Sequence, residues 1–473
     1  MRRWIFAALT SLGLLILLAM LALASCNSLP TLTPELSRRT RPPPRVNGPG
    51  GPLSARQAEA VLQGLSPHGP SSAIFDRHLA LEEAINGKPL SAGNAVHLLQ
   101  DGPATYRAMY AAILAARDHI NMETYILDDD EVGQRFAQAL IDKQRQGVQV
   151  NLLRDSVGTL ATPAAFFARM SDAGIAVLEF NPVNPMQALG SGADWELNQR
   201  DHRKLLLVDG RIAFLGGINI SSVYSGGSFK PGSRAAKQAK AQTGLAWRDT
   251  DLQLQGPVVA DLQRLFIASW QAQSGPPLAD KQYFPPLPAM GREVVRAIGS
   301  SPDEPFSLIY ATLLSAIANA QTTVHLSNAY FVPDPQLLAA LVAAAKRGVD
   351  VSLILPGQSD SALVLQAGRA SYTPLLQAGV KIFERQGAIL HAKTASIDGV
   401  WSTVGSTNLD WRSFLHNQEL NAVVLGAEFG AQMRKQFDQD QRASTPITLA
   451  AWQQRPIADR LQQWLANVWA YWL

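Results

Sequence analysis

At 473 residues the chain exceeds what one ordinary hydrophobic core fills, and it suits two domains with additions. Hydrophobic residues make up 47% and charged residues 17%, which excludes a disordered, solvating class. The formal net charge of +3 includes Arg2 and Arg3 at the extreme N-terminus, so the body is nearly neutral and no nucleic-acid partner is expected.

The chain opens with two arginines, a long apolar run and Leu23-Ala24-Ser25-Cys26. Small residues closing an apolar run at a lone cysteine resemble the lipobox of a bacterial lipoprotein signal. That resemblance implies cleavage before Cys26 and a diacylglycerol on its sulfur. The alternative is an uncleaved anchor in the inner membrane, because the run approaches the ~20 apolar residues a spanning helix needs. Either form exports the body and tethers it at a membrane surface in the cell envelope. Asn27 leaves an outer-membrane destination open, by resemblance to enterobacterial sorting rules. With one cysteine there is no intrachain disulfide.

Residues 27–90 read as a Pro-rich, extended tether followed by a short lead-in helix over 73–90 that caps the first domain. From residue 94 strands and helices alternate. Strands are expected at 96–99, 120–127, 148–153 and 175–180, and helices at 105–120, 132–147 and 163–174. The order then recurs, with helices at 310–320, 337–348 and 372–379 and strands at 323–332, 349–356 and 380–384. RQGVQVNLL against KRGVDVSLI shows the repeat directly. Alternating strands and helices indicate α/β layers, here written twice, as domains 91–290 and 291–445 joined through a proline-rich run. The first copy carries two insertions, 181–195 and a cationic stretch with Lys230, Arg234, Lys237 and Lys240. The stretch reads either as a solvated loop or as a flap over an anionic substrate. A Trp-rich amphipathic helix closes the chain within 446–473, and docking on the core or lying in a membrane interface both remain open.

Two stretches carry the chemistry. HRKLLLVDGRIAFLGGIN (202–219) and HAKTASIDGVWSTVGSTN (391–408) superpose without a gap on His202, Lys204, Asp209, Gly216 and Asn219, and on His391, Lys393, Asp398, Gly405 and Asn408. Period two along a strand puts each His and Lys on one face. Asp209 and Asp398 fall on the opposite parity, at an Asp-Gly turn, and read as structural. Gly216-Gly217 and Gly405-Ser406 are expected to bring backbone amides close to an anion, with Asn219 and Asn408 adding donors. Two lysines, two asparagines and these amides describe a pocket for a tetrahedral phosphate. The site supplies its own cations, so no metal or other cofactor is expected. One imidazole attacks a phosphodiester while the other protonates the departing oxygen. Orienting carboxylates are expected from Asp249 and Glu419, which follow the two asparagines at matching positions, with Asp251 as the alternative to Asp249.

These residues resemble the phospholipase D superfamily, whose signature is a paired H-x-K-x4-D followed by G-[GS]-x-N. NMETYILDDDEVG, WRDTDLQLQGPVV, SNAYFVPD and GSTNLDWRSFLHNQEL bring the chain nearest to bacterial cardiolipin synthases. The resemblance implies two duplicated α/β sandwich domains with pseudo-twofold symmetry and one shared active site. It implies a catalytic set of His202, Lys204, Asp209, His391, Lys393 and Asp398, and a covalent phosphatidyl-histidine, with His202 as nucleophile and His391 as general acid. An exported enzyme lacks a nucleotide pool, so the expected reaction trades one phosphodiester for another. Two phosphatidylglycerols then give cardiolipin and glycerol. Hydrolysis to phosphatidic acid, a nuclease of the same superfamily and a non-enzymatic lipid-binding scaffold are the alternatives.

Overall fold

The computed structural model describes residues 44–65, 71–86, 89–183, 198–225 and 245–473. Cys26 and the rest of the lipoprotein-type signal, residues 27–43 and 66–70 of the tether, most of the insertion before His202 and the cationic stretch lie outside the described residues. Among the described residues no helix is long and apolar enough to cross a membrane.

The first half comprises β1 (Val46–Gly48), β2 (Gly51–Pro52), α1 (Ala55–Leu65), α2 (Ser71–Asn86), β3 (Leu90–Leu99), α3 (Gly102–Ala115), β4 (His119–Thr124), α4 (Glu131–Arg145), β5 (Gln149–Asp155), α5 (Ala164–Asp172) and β6 (Ala176–Phe180). It continues with β7 (Arg200–Asp201), β8 (Lys204–Val208), β9 (Ile212–Gly216), β10 (Trp247–Arg248), β11 (Asp251–Gln255) and α6 (Val258–Ala272). The second half comprises β12 (Glu293–Ser300), α7 (Leu308–Asn319), β13 (Thr323–Asn328), α8 (Pro335–Lys346), β14 (Asp350–Pro356), α9 (Ala362–Ala370), α10 (Tyr372–Gln377) and β15 (Lys381–Arg385). Then follow β16 (Ile389–Leu390), β17 (Lys393–Ile397), β18 (Trp401–Gly405), α11 (Trp411–Leu415), β19 (Asn417–Leu425), α12 (Ala427–Arg442), β20 (Ser444–Ile447), α13 (Leu449–Gln453) and α14 (Ile457–Asn467).

The repeat read from sequence is a repeat of topology. One sheet runs β3-β11-β9-β8-β4-β5-β6, with β4, β5 and β6 parallel and the other neighbours antiparallel. The other runs β12-β19-β18-β17-β13-β14-β15 with the same senses, and β20 adds an antiparallel edge. β3 pairs with β12 and joins the two. Local signals match too. Asp130 and Asp334 cap α4 and α8 by accepting two backbone N–H bonds each, a contribution of ~1 kcal/mol per helix. Gly147 and Gly348, after the same two helices, have φ of +90° and +91°, a left-handed turn that favours glycine.

The halves share a core. Leu205, Leu215, Leu254, Phe266 and Trp270 of the first are buried in one cluster with Val295, Val404, Leu420, Val424 and Met433 of the second. Fully burying each such side chain contributes roughly 1.5–3 kcal/mol, so separating the halves would expose a surface neither can leave in water.

Two expectations for the N-terminal region change. The tether ends by Val46, because β1 lies beside β3 with Val46 opposite Leu90, and α1 follows. The lead-in helix α2 packs on the second half and not the first. Phe75 and Leu79 are buried with Ile309, Leu313 and Leu314 of α7, and His78 Nε2 lies 2.9 Å from Asp398 Oδ2. The apolar residues of the helix predict burial, but nothing in their spacing names which half receives them.

Candidate active site

Each repeated stretch folds as a hairpin, β8-β9 and β17-β18. The turn residues Asp209 and Gly210 have φ of +54° and +60°, and Asp398 and Gly399 have +55° and +65°, so both copies use left-handed backbone. The aspartates face away from the histidines. Asp209 accepts from the backbone N–H groups of Arg117, Asp118 and His119 at 2.8–3.2 Å, which fixes the start of β4. Asp398 does the same for Gln321, Thr322 and Thr323 ahead of β13. Burial alone would raise Asp398, yet the His78 ring and these amides outweigh it and hold the carboxyl at about 2.

The strands begin at Lys204 and Lys393, so each histidine stands just ahead of its strand. What holds it there is a crossed pairing of very short strands. β7, before His202, runs parallel to the start of β19, and β16, before His391, runs parallel to β10. The His202 N–H donates to the Gln418 carbonyl at 2.9 Å, and the His391 N–H donates to the Arg248 carbonyl at 2.7 Å. The next residues along those partner segments are Glu419 and Asp249. Each histidine therefore meets a carboxylate of the opposite half.

His202 Nδ1 lies 3.0 and 3.1 Å from the two Glu419 carboxylate oxygens. His391 Nδ1 lies 2.6 Å from Asp249 Oδ2. Asp251 faces elsewhere, taking the Ile218 N–H at 3.0 Å, so Asp249 is the partner and Asp251 holds the turn before Asn219. The two carboxylates differ in support. Glu419 also accepts from the Ser406 hydroxyl and from Asn417 Nδ2 at 3.3 Å. Burial pushes Glu419 up, but His202, Lys204 and Ser406 more than offset this and keep it below the usual range. Asp249 takes the Thr250 N–H at 2.7 Å, and burial drives it up to about 7 despite nearby Lys393. The pairs therefore differ in where a proton rests.

Burial lowers His202 to about 4, with Lys204 and Lys393 adding repulsion and Glu419 opposing. Burial and the two lysines depress His391 as well. Both rings are neutral without a ligand. Lys204 Nζ donates to the His202 carbonyl and lies 5.0 Å from the centre of the Tyr125 ring. Lys393 Nζ is 3.0 and 3.1 Å from the two ring nitrogens of His391, flanking the ring rather than meeting one nitrogen end-on. Burial brings Lys204 down to about 7 and Lys393 to about 8. An arriving anion favours the charged form of the two lysines.

His202 and His391 open on one cavity of about 390 Å³, with Asn219 and Asn408 also in its wall. Asn219 Nδ2 donates to the Tyr224 hydroxyl at 3.0 Å, and that hydroxyl is 3.2 Å from His391 Nδ1. Asn408 Oδ1 is buried with no hydrogen-bond partner among the described residues. Among the described residues no group of three or more His, Cys, Asp or Glu is arranged to hold a metal ion.

The glycines serve a different purpose from the one expected. Their amides are spent inside the protein, since the Gly217 N–H donates to Thr250 O at 3.2 Å and the Ser406 N–H to Leu420 O at 3.0 Å. A Cβ on Gly217 would lie 2.3 Å from Asp249 Oδ1, one on Gly216 2.0 Å from Asp251 Oδ1, and one on Gly405 2.0 Å from Asn421 Oδ1. They clear room for side chains of β11, β19 and the turn before β11. The Ser406 hydroxyl holds Glu419 and not the ligand.

Sequence reasoning missed the aromatic wall. Tyr125 is 4.9 Å from the His202 ring centre, and Trp247 is 4.8 Å and Tyr330 6.1 Å from that of His391. A signal was present, because Tyr125 and Tyr330 follow the matching strands β4 and β13 by one and two residues.

The family described as "Cardiolipin synthase, PLD-like domain" matches residues 109–224 and 313–441, once in each half. The cardiolipin synthase of Geobacillus sp. (strain WCH70) is 33% identical over 385 residues, covering 81% of this chain and 73% of that one. Cardiolipin synthase 1 of Bacillus anthracis is 33% identical over 400 residues, covering 82% and 75%. Phosphatidylserine synthase of Haemophilus influenzae Rd KW20 shares the fold with a TM-score of 0.58 at 14% identity, over 83% of this chain and 97% of that one. With both halves matched and a third of the residues identical over most of its length, the chain belongs to the phospholipase D-like cardiolipin synthase family.

Proposed function

We propose that this phospholipase D-superfamily phosphatidyltransferase joins two phosphatidylglycerols into cardiolipin and releases glycerol through a phosphatidyl-His202 intermediate. The observation that carries the reading is the unequal pair of crossed His–carboxylate contacts on one cavity. Ionised Glu419 takes the Nδ1–H of His202 and leaves the Nε2 lone pair free to attack phosphorus. The Asp249–His391 pair, 2.6 Å apart, holds one proton to about neutral pH. With that proton on Asp249, His391 carries Nε2–H and accepts at Nδ1.

In the first step the P–N bond to His202 forms and the P–O bond to glycerol breaks. His391 Nε2–H passes to the departing alkoxide, and Nδ1 draws the Asp249 proton. In the second step His391 Nε2 takes the hydroxyl proton of the second phosphatidylglycerol. That oxygen attacks phosphorus, the P–N bond breaks, and the Asp249 proton is restored. Lys204, Lys393, Asn219 and Asn408 surround the phosphoryl oxygens, whose charge offsets the lysines' burial. One phosphodiester replaces another, so no activated donor is needed. That economy suits an exported enzyme, lipidated at Cys26 and facing the periplasm, the form read from residues 1–26.

Purified full-length protein with labelled phosphatidylglycerol in detergent should yield cardiolipin and glycerol in equal amounts; phosphatidic acid as the sole lipid product refutes transfer to an alcohol. The roles separate by leaving group. His391→Ala should regain its first step on a p-nitrophenyl phosphodiester, which departs without a proton, whereas His202→Ala should stay inactive. Alkaline quenching and mass spectrometry of the His202 peptide should find the adduct. Rescue of the His202 variant instead would reverse the assignment.

A further inference from the structure

The C-terminal helix α14 is docked the wrong way round for a soluble protein. Its buried residues are Gln463 and Ala466, and Ala466 packs in a small cluster with Val332 and Ala367. Its apolar residues face out, with Ile457 82%, Leu461 55%, Trp464 63% and Leu465 51% exposed. Trp469 and Trp472 continue the exposed face through the short turn that follows. Burying such side chains is worth roughly 1.5–3 kcal/mol each, so a face left bare at this density among the described residues signals a partner.

Position identifies the partner. Trp472 and Leu473 form part of the wall of the cavity that holds His202 and His391, so the bare face runs into the active-site mouth. On α9, against which α14 packs, Leu363 is also exposed. The other half presents Val157 and Leu160 from the loop after β5, the strand that corresponds to β14 ahead of α9. That loop lies against Tyr125, another cavity residue, because a Cβ on Gly158 would meet Tyr125 O at 2.0 Å. Two apolar lips thus flank one polar cavity, which is the arrangement a phospholipid needs when its headgroup leaves the interface and its chains remain behind. Tryptophan also favours the head-group boundary, and the exposed Arg460 within α14 complements anionic headgroups.

We infer that the outer face of α14, with Leu363, Val157 and Leu160, docks on a phospholipid bilayer and seats the active-site mouth at headgroup level. The inference rests on the transfer reaction proposed above for its substrate class, and it is independent of any anchor supplied by residues 1–26.

The test uses the full chain and an L461Q/W464Q/L465Q variant, none of whose altered residues touches the catalytic groups. Turnover is compared on phosphatidylglycerol vesicles and on monomeric dihexanoyl phosphatidylglycerol below its micelle concentration. Hydrogen–deuterium exchange of 457–473 is followed with and without vesicles of phosphatidylglycerol and phosphatidylethanolamine. Vesicles should slow exchange in the wild type, and the variant should lose at least about tenfold on vesicles while matching the wild type on monomers. An equal effect on both substrates, or none on either, overturns the docking. Protection that needs no vesicles overturns it too, assigning the face to a second copy if it grows with protein concentration and to another part of the chain if it does not. A wild type that slows exchange on vesicles yet makes no cardiolipin from monomers would sink the reaction and leave the docking standing.

Discussion

Glu419→Gln separates charge from shape at the nucleophile. The carboxylate, itself fully buried, meets His202 Nδ1 from both oxygens, at 3.0 and 3.1 Å. Glutamine keeps the volume, and with its oxygen toward His202 and its NH₂ toward the Ser406 hydroxyl it retains one hydrogen bond to each. What disappears is a negative charge beside a ring that becomes positive as it attacks. Two unit charges ~4 Å apart at an effective dielectric of ~20 interact by about 4 kcal/mol, which is a rate factor of roughly 10³. The assay is cardiolipin formation from labelled phosphatidylglycerol, with single-turnover labelling of His202 to isolate the first step. The rate constant kcat should fall by about that factor while KM moves only a few-fold, because the charge acts in the transition state. A loss under tenfold, or one confined to KM, would show that Glu419 does not serve the attacking ring.

Gly217→Ala brings a methyl to within 2.3 Å of Asp249 Oδ1 and pushes the carboxylate off His391; activity should drop by roughly 10²-fold or more, with the thermal midpoint far less affected. Asp209→Asn can keep its oxygen on the Asp118 and His119 N–H groups but turns an NH₂ toward the Arg117 N–H, so it should cost about 1–3 kcal/mol in urea unfolding; an unchanged midpoint would remove the turn role. His325, 5% exposed and stacked on Phe437 at 4.5 Å, is lowered to about 4 by burial, with Arg434 adding repulsion. Between about pH 6.5 and 4 only the unfolded chain binds this proton, so unfolding free energy falls as pH drops through that window. Against His325→Leu, the wild type should lose ~3 kcal/mol more across that window, and parallel pH curves would contradict the burial argument.

Much of this was legible because duplication doubles every signal. The hairpins of His202 and His391 announce themselves by spacing, and Asp249 and Glu419 by following the asparagines in both copies. Helix caps such as Asp130 and Asp334 sit where local chemistry demands. The crossed pairing was not legible. It depends on β7, β10 and β16, two residues each, too short for any periodic pattern, whose partners lie more than a hundred residues away. The glycines misled for a related reason. Gly217 and Gly405 look the same whether they admit an anion or a neighbouring side chain, and only the register against β11 and β19 decides. The docking of α2 on the second half depends on the His78–Asp398 contact, on Arg77 against Gln321 and on a few apolar side chains, none of which has a counterpart in the repeat.

Because each histidine borrows its carboxylate from across the seam, reactivity is conditional on complete folding. A chain with only its first half folded would own an imidazole but no Glu419, and its Asp249 would have no ring to serve. Such an intermediate could meet lipid without cleaving it. The cross-over thus acts as a built-in interlock, arming the protein when its two ends have found each other.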